Sequence, residues 1–262
     1  MNSPSRTSQV VALTRAVLER PHSPEGDPDS QRKLCAGMGM QYSPATWLRV
    51  HMAARTEFVD GQVMAAIAAG LRQIVICGAG YDDRALRFRT SGVRFFELDH
   101  PGTQSDKARL LTALGAGAPA VTLAAADFRS DDVGAVLAQA GHDARQPSLF
   151  VCEGLLAYLD RQTCHRLLAS LADRAAPGSV LAASLSTHED GADSEVVVAE
   201  ANSRRRTSAA EPWLTILPAA EHVARLEQAG WVVTTTQWAP ASSAIVSHGR
   251  RSLLVQASPA AR

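Results

Sequence analysis

The chain has 262 residues, of which 46% are hydrophobic and 20% charged, and its 26 basic residues balance its 26 acidic ones. This length is enough for one large domain, and the composition excludes a disordered chain. A net charge of zero also argues against binding nucleic acid or an anionic membrane through an overall electrostatic field.

Cysteine spacing and hydropathy indicate the compartment. The four cysteines form no C-x-x-C pair, which is typical of reduced thiols and not of a disulfide framework. Neither a signal-peptide pattern nor an apolar run of about 18 residues is present. We therefore expect a cytoplasmic protein with no membrane span. The histidines lack i, i+4 spacing, so we also expect no metal site.

The first 70 residues have helical patterns. An amphipathic segment over 10–18 must end before Pro21, because proline breaks a helix. Between Gln31 and Gly70, apolar residues recur at helical spacing, as at Val59 and Val63. This spacing predicts two or three further helices.

Strands and helices alternate from residue 74 onward. The β-rich run Ile74 to Cys77 ends in a glycine turn, and the same order then repeats, with strands at 94–98, 120–124 and 148–152 and helices at 103–114, 131–140 and 161–175. Four such units predict a doubly wound, mostly parallel α/β sheet.

The C-terminal third completes this sheet. A fifth strand over 180–185 is followed by an irregular segment, 187–216, with a short helix over 195–201. A helix over 218–229 and strands over 231–237 and 252–256 bring the strand count to seven. The tail over 257–262 is rich in small residues, and we expect it to be frayed.

Polar residues and glycines follow four successive strands, where ligands bind in such sheets. They are Gly78 and Gly80 after the first strand, Asp99 at the end of the second, Asp127 and Phe128 after the third, and Glu153 after the fourth. Glycines let a ligand approach the backbone, and a carboxylate at Asp99 can hold both hydroxyls of a ribose. Any one of these residues could merely cap a helix or turn, but capping does not require this order.

The glycine turn limits the choice of nucleotide. Asp83 stands where a dinucleotide site has its third glycine, beside Asp82, and two carboxylates would repel a pyrophosphate. A nucleoside that carries an ammonium and a sulfonium group suits this turn better. We therefore expect S-adenosyl-L-methionine, with S-adenosyl-L-homocysteine as its product, and keep an NAD-dependent oxidoreductase as the alternative.

Five blocks of sequence carry a family resemblance: Arg55-Thr56, Gly78 to Arg84, Phe96 to Pro101, Asp127-Phe128 and Glu153 to Leu159. Together they resemble the leucine carboxyl methyltransferase family of class I S-adenosylmethionine-dependent methyltransferases, which includes bacterial polyketide O-methyltransferases. The resemblance implies a Rossmann-like methyltransferase sheet over 71–262, an N-terminal helical lid over 1–70 and a substrate-side segment over 187–216.

The resemblance also implies roles for residues. Arg55 would pair with the methionine carboxylate, helped by Arg32 or Lys33, while Gly78 and Gly80 would line the methionine part. By the same resemblance, Asp99 would hold the ribose, Asp127 and Phe128 the adenine, and Glu153 would lie near the reaction centre.

Methyl transfer requires alignment of the acceptor, the methyl carbon and the sulfur, with water excluded. A carboxylate acceptor needs no general base, whereas a hydroxyl does, and the sequence leaves both open. Tyr158 is a candidate hydrogen-bond partner of the acceptor, and His188 is a candidate base just beyond the fifth strand. Arg204 to Arg206 are candidates for an acceptor carboxylate, and Trp213 for an aromatic wall.

A small metabolite, such as a polyketide or other natural product, is the first acceptor to consider, and the carboxylate at a protein C-terminus is the second. A non-catalytic binding protein that keeps only the cofactor pocket is a further alternative. A homodimer is a possible assembly.

Overall fold

The computed structural model describes residues 4–40, 43–115, 121–203, 211–240 and 250–261, so the predicted acceptor contacts at 204–206 lie outside the described residues. The helices in these ranges are α1 (Arg6–Arg15), α2 (Ser30–Gly37), α3 (Thr46–Ala68), α4 (Arg84–Arg87), α5 (Pro101–Ala113), α6 (Val133–Gln139), α7 (Arg161–Asp173), α8 (Ser194–Ser203) and α9 (Ala219–Gln228). The strands are β1 (Gln73–Cys77), β2 (Arg94–Asp99), β3 (Val121–Ala125), β4 (Ser148–Cys152), β5 (Val180–His188), β6 (Leu217–Pro218), β7 (Trp231–Trp238) and β8 (Arg250–Pro259).

The strands form one sheet in the order β3-β2-β1-β4-β5-β8-β7. The first five strands pair in parallel, and β8 runs antiparallel between β5 and β7. The two-residue β6 pairs with the end of β5. The expectation of a doubly wound, mostly parallel sheet of seven main strands is therefore confirmed.

Helices cover both faces of the sheet because its central strands are apolar throughout. All residues of β1 and β4 are buried. On one face Phe150 packs in a cluster with Trp231 of β7, and on the other Val59 and Val63 of α3 pack against Ile76 of β1. Much of α3 thus belongs to the core, and whether residues 1–70 move as a lid stays a prediction.

The C-terminal tail differs from the expectation. Ala257 is buried and lies in β8 between Leu181 and Val233, and the N–H of Ala260 donates to the carbonyl of Gly230 at 2.9 Å. The prediction of a frayed tail was wrong. Small residues show no strand pattern in the sequence, but here their backbone pairs with β5 on one side and with β7 on the other.

The glycine turn after β1 lies where the strand order reverses. Gly78 and Gly80 have φ values of 67° and 53°, a region that favours glycine. A Cβ on Gly80 would come within 2.7 Å of the Cβ of Ser8 in α1. The turn therefore lets α1 approach the backbone closely. No helix within the described ranges is both long and apolar enough to cross a membrane.

Candidate active site

A cavity of about 670 Å³ lies at the carboxyl edge of the sheet, within the size range of small-molecule sites. Eight of the nine predicted site residues line it: Arg55, Gly78, Gly80, Asp99, Asp127, Phe128, Glu153 and Tyr158. The structure thus brings together residues that are up to 103 positions apart in the sequence.

Asp99 organises the glycine turn at this cavity. Its Oδ2 accepts a hydrogen bond from the N–H of Gly80 at 2.6 Å, and its Oδ1 accepts one from the N–H of His100 at 2.7 Å. Burial raises the pKa of Asp99, and these two donors oppose the rise. Each carboxylate oxygen has a second lone pair, so Asp99 has acceptor capacity for the hydroxyls of a ribose.

Asp127 and Phe128 form the wall beyond β3. The N–H of Asp127 donates to the side chain of Asp131 at 2.8 Å, while Asp127 Oδ1 accepts from the N–H of Arg129 at 3.0 Å. These local bonds hold the turn, and the Phe128 ring lines the cavity. An aromatic face beside a carboxylate suits a purine base.

Three arginines surround the carboxylate of Glu153. Arg15 lies 2.6 Å from it, and Arg55 and Arg84 each lie 2.9 Å from it. Burial would raise the pKa of Glu153, but the three guanidinium groups hold it well below its ordinary range. Glu153 is therefore a carboxylate that stays ionised at neutral pH and a weak proton acceptor.

This contact is part of a larger buried ion network. Asp82 pairs with Arg15 and Arg84, Asp60 with Arg84 and Arg87, and Asp83 with Arg87 and Arg20. With Glu153 and Arg55 included, the network holds five arginines and four carboxylates. It thus has one more cation than anion.

The spare positive charge of the network suits an anionic group of a ligand. Arg15 and Arg55 both line the cavity, and the buried Nε of Arg15 has no hydrogen-bond partner among the described residues. An incoming carboxylate could satisfy such a donor. The network also corrects the electrostatic reasoning at Asp82 and Asp83, because both carboxylates are neutralised by arginines and Asp83 does not line the cavity.

Arg15 was missed by sequence reasoning. The predicted helpers of Arg55, Arg32 and Lys33, instead pair at the surface with Asp29 and Asp27, and their side chains are 66% and 52% exposed. Neither lines the cavity. The signal for Arg15 was a single basic residue in the last turn of α1, which does not distinguish a ligand from a helix-capping charge.

His188 lies apart from the other predicted site residues. It is buried, its Nδ1 lies 2.8 Å from the carbonyl of Glu189, and its Nε2 lies 2.8 Å from Ser194 Oγ. It does not line the cavity. The reason is that β5 continues to residue 188, where it pairs with β6 and β8.

The helix α1 covers the cavity and is held at its N-terminal end. The N–H of Ser5 donates to Thr103 Oγ1 at 3.1 Å, and that of Thr7 donates to Glu211 Oε2 at 3.0 Å. Val11 also lines the cavity, as does Glu211. The cavity is therefore bounded by the sheet edge on one side and by α1 on another.

The strand order distinguishes this fold from a dinucleotide-binding fold. A dinucleotide-binding sheet ordinarily has the parallel order 3-2-1-4-5-6, whereas here an antiparallel strand is inserted beside β5. A candidate methyltransferase from Thermobifida fusca YX has this fold, with a TM-score of 0.63 at 16% identity over 100% of this chain and 97% of that one. Magnesium protoporphyrin IX methyltransferase from Synechocystis PCC 6803, solved with bound SAM, gives a TM-score of 0.54 at 11% identity over 98% of this chain and 99% of that one. The fold is that of class I methyltransferases.

Sequence comparison gives the family. Residues 14–172 match the Leucine carboxyl methyltransferase family. A candidate S-adenosyl-L-methionine-dependent methyltransferase from Mycobacterium ulcerans is 33% identical over 239 residues, which cover 88% of this chain and 71% of the relative. Matches to two further relatives cover 65% and 48% of their lengths. The chain belongs to the leucine carboxyl methyltransferase family, whose cofactor is S-adenosylmethionine.

Proposed function

We propose that this protein transfers the methyl group of S-adenosylmethionine to an oxygen atom of a small metabolite, and that this oxygen belongs to a carboxylate. The observation that carries the proposal is that one cavity is lined both by Asp99 and Arg15 and by Tyr158 and Pro212. Cofactor and acceptor would thus meet in one cavity.

The described residues suit the parts of the cofactor. Asp99 would bind the ribose, Phe128 would contact the adenine, and Arg15 with Arg55 would bind the methionine carboxylate. Glu153 would lie by the ammonium group. When bound, S-adenosylmethionine supplies a methyl group activated by the positive charge on sulfur.

The protein's own work in this reaction is to orient the reactants and exclude water. Apolar side chains of Val11, Leu155 and Leu159 line the cavity beside Tyr158. Because α1 and these apolar side chains border this part of the cavity, an acceptor would lose part of its hydration there. An anion stripped of water is a better nucleophile.

The choice of a carboxylate rests on proton chemistry. Within the described part of the lining, the histidine present is His100, next to Asp99 at the ribose end. Glu153, at the methionine end, is held ionised by arginines and binds protons weakly. Glu211 beside Pro212 already accepts a hydrogen bond from the N–H of Thr7 at 3.0 Å. A hydroxyl acceptor would need a base at this end, whereas a carboxylate is already an anion.

The first experiment is calorimetric titration with S-adenosylhomocysteine, with NADH and NADPH in parallel. We expect binding of the thioether alone. Binding of a nicotinamide cofactor without the thioether would instead favour an oxidoreductase.

The second experiment identifies the acceptor with tritiated methyl groups. Panels of small carboxylic acids, matched alcohols and phenols, and peptides with free or amidated C-termini would be incubated with the protein. A methyl ester releases volatile methanol in alkali, whereas a methyl ether does not. Alkali-labile label on a small acid supports the proposal; stable label, or label on free-ended peptides alone, contradicts the assigned acceptor.

A further inference from the structure

The turn that carries Tyr158 is clamped by a segment distant in sequence. Both Leu214 and Thr215 donate their N–H groups to the carbonyl of Ala157, at 2.6 Å and 3.2 Å. Thr215 Oγ1 also donates to the carbonyl of Leu159 at 2.6 Å. Three hydrogen bonds thus hold the residues on either side of Tyr158.

Trp213, the residue before this clamp, is fixed in turn by Asn202 of α8. The Nδ2 of Asn202 donates to the carbonyl of Trp213 at 2.8 Å, and Asn202 Oδ1 accepts from the N–H of Trp213 at 2.9 Å. The Trp213 ring then meets the Tyr158 ring edge to face, with centroids 6.5 Å apart and an interplanar angle of 69°. Asn202 itself does not line the cavity.

The contacts of Asn202 differ from those of an ordinary residue at a helix end. Both of its bonds reach a residue 11 positions away, whereas its neighbour Ser203 donates to the carbonyl of Glu200 within the same helix. Ala201 is the buried residue of α8. The amide of Asn202 therefore contributes more to the position of Trp213 than to the helix.

We infer that Asn202 is a positioning residue for the acceptor: it fixes Trp213, and Trp213 fixes the ring of Tyr158 at the cavity wall. This inference rests on the proposed function, in which Tyr158 contacts the acceptor. By this inference α8 shapes the part of the cavity that Tyr158 lines, although Asn202 itself does not line the cavity.

Fluorine NMR tests the inference directly, because the chain has three tyrosines, Tyr42, Tyr81 and Tyr158. The whole protein would be labelled with 3-fluorotyrosine, and the three resonances assigned by single Tyr→Phe variants. In Asn202→Ala we expect the Tyr158 resonance to shift or broaden. The Tyr81 resonance should stay in place, because the Tyr81 hydroxyl is bonded to Asp106 at 2.6 Å. A general loss of structure would move both.

Two further variants sharpen this comparison. Ser203→Ala removes a bond within α8 and should leave the Tyr158 and Tyr81 resonances unchanged. Asn202→Asp keeps a side-chain oxygen that accepts the hydrogen bond from the N–H of Trp213, but it loses the N–H group that donates to the carbonyl of Trp213. The Tyr158 resonance in Asn202→Asp should therefore also move, with Tyr81 again unchanged.

Kinetics separates acceptor positioning from cofactor binding. With tritiated S-adenosylmethionine and the carboxylic acid of the panel that the wild-type protein methylates fastest, Asn202→Ala should raise the acceptor KM about tenfold. The Kd for S-adenosylhomocysteine should change by less than about twofold. Ser203→Ala should change neither quantity.

Three results would overturn the inference. An unchanged Tyr158 resonance in Asn202→Ala would show that Asn202 does not position the Tyr158 ring. A loss of affinity for S-adenosylhomocysteine as large as the rise in the acceptor KM would mean a general defect of the site. An acceptor KM unchanged beside a displaced Tyr158 removes the link to the acceptor. Wild-type protein that binds no S-adenosylhomocysteine overturns the proposed function first, whereas a failure confined to the Asn202 variants overturns the positioning role alone.

Discussion

Asp99 performs two tasks, since its carboxylate both orders the glycine turn and faces the cavity. Replacing it by alanine removes the acceptor proposed for the ribose hydroxyls and frees the N–H of Gly80. We expect Asp99→Ala to weaken S-adenosylhomocysteine binding by about 1–3 kcal/mol, the usual cost of unpaired polar groups. Titration calorimetry measures this loss.

A matched control for this variant is Asp132→Ala. Asp132 also accepts a hydrogen bond from a backbone N–H, that of Ala135, but it caps α6 and does not line the cavity. The Asp132→Ala variant should leave the Kd for S-adenosylhomocysteine unchanged. Equal affinities of the Asp99 variant and the wild type would remove Asp99 from the cofactor site.

Arg15 provides a second test at the scale of a residue. Methylthioadenosine lacks the amino-acid part of S-adenosylhomocysteine, so comparing the two ligands isolates contacts to that part. We expect Arg15→Gln to weaken binding of S-adenosylhomocysteine about tenfold and to leave methylthioadenosine binding nearly unchanged. Arg32→Gln, at an exposed pair with Asp29, should affect neither ligand. A parallel loss for both ligands would contradict the assignment.

At the scale of elements, the sequence predicts the strands of the sheet better than the contacts of the helices that pack on it. The strand at 148–152 is predicted with its observed bounds, because a buried parallel strand is a continuous apolar run between turn residues. Asp99, Phe128 and Glu153 follow from the same logic, since strand ends in one sheet meet at one edge. Arg15 and Asn202 could not be predicted in this way, because their partners are fixed by packing between distant segments.

The connection from α1 to α2 is held onto α4 by Asp83. Its carboxylate accepts two hydrogen bonds from Arg20, each at 2.8 Å, and one from Ser30 Oγ at 2.9 Å. Removing one partner of a buried ion pair leaves the other charge uncompensated. We expect Asp83→Asn to lower the free energy of unfolding by about 3–5 kcal/mol, as measured by urea denaturation.

A double-mutant cycle with Arg20→Met checks this assignment. If the Arg20–Asp83 pair carries the effect, the double variant should be clearly more stable than the two single losses predict by addition. Strict additivity would show that Asp83 acts through Arg87 instead, the other cation that it contacts.

At the scale of the whole molecule, one buried ion network connects the N-terminal helices to the sheet edge that borders the cavity. Arg15 comes from α1, Arg55 and Asp60 from α3, Arg84 from α4, and Glu153 follows β4. The helices at the N-terminus are thus joined to the sheet edge through charges as well as apolar packing. Because several of these carboxylates depend on arginines to remain ionised, the stability of this packing of helices on the sheet depends on pH.

The direction of that dependence follows from the pKa values. Burial opposes ionisation of Asp83 and Glu153, but Arg87 and Arg20 for the first, and Arg15, Arg84 and Arg55 for the second, hold their pKa values well below the ordinary range. In the unfolded chain both groups titrate near pH 4. Below that pH the unfolded state binds more protons than the folded state, so the stabilising contribution is fully present at neutral pH and is lost as the pH falls.

We therefore expect the free energy of unfolding to fall steeply between about pH 4 and pH 2, measured by urea denaturation at each pH. Asp83→Asn, although less stable at pH 7, should lose stability less steeply over this range, because one of the protons that favour unfolding has no site to bind. Asp190→Asn, at an exposed position, should keep the wild-type slope. A wild-type slope in Asp83→Asn would mean that Asp83 titrates alike in both states, and the ion network would then owe its pH dependence to other carboxylates.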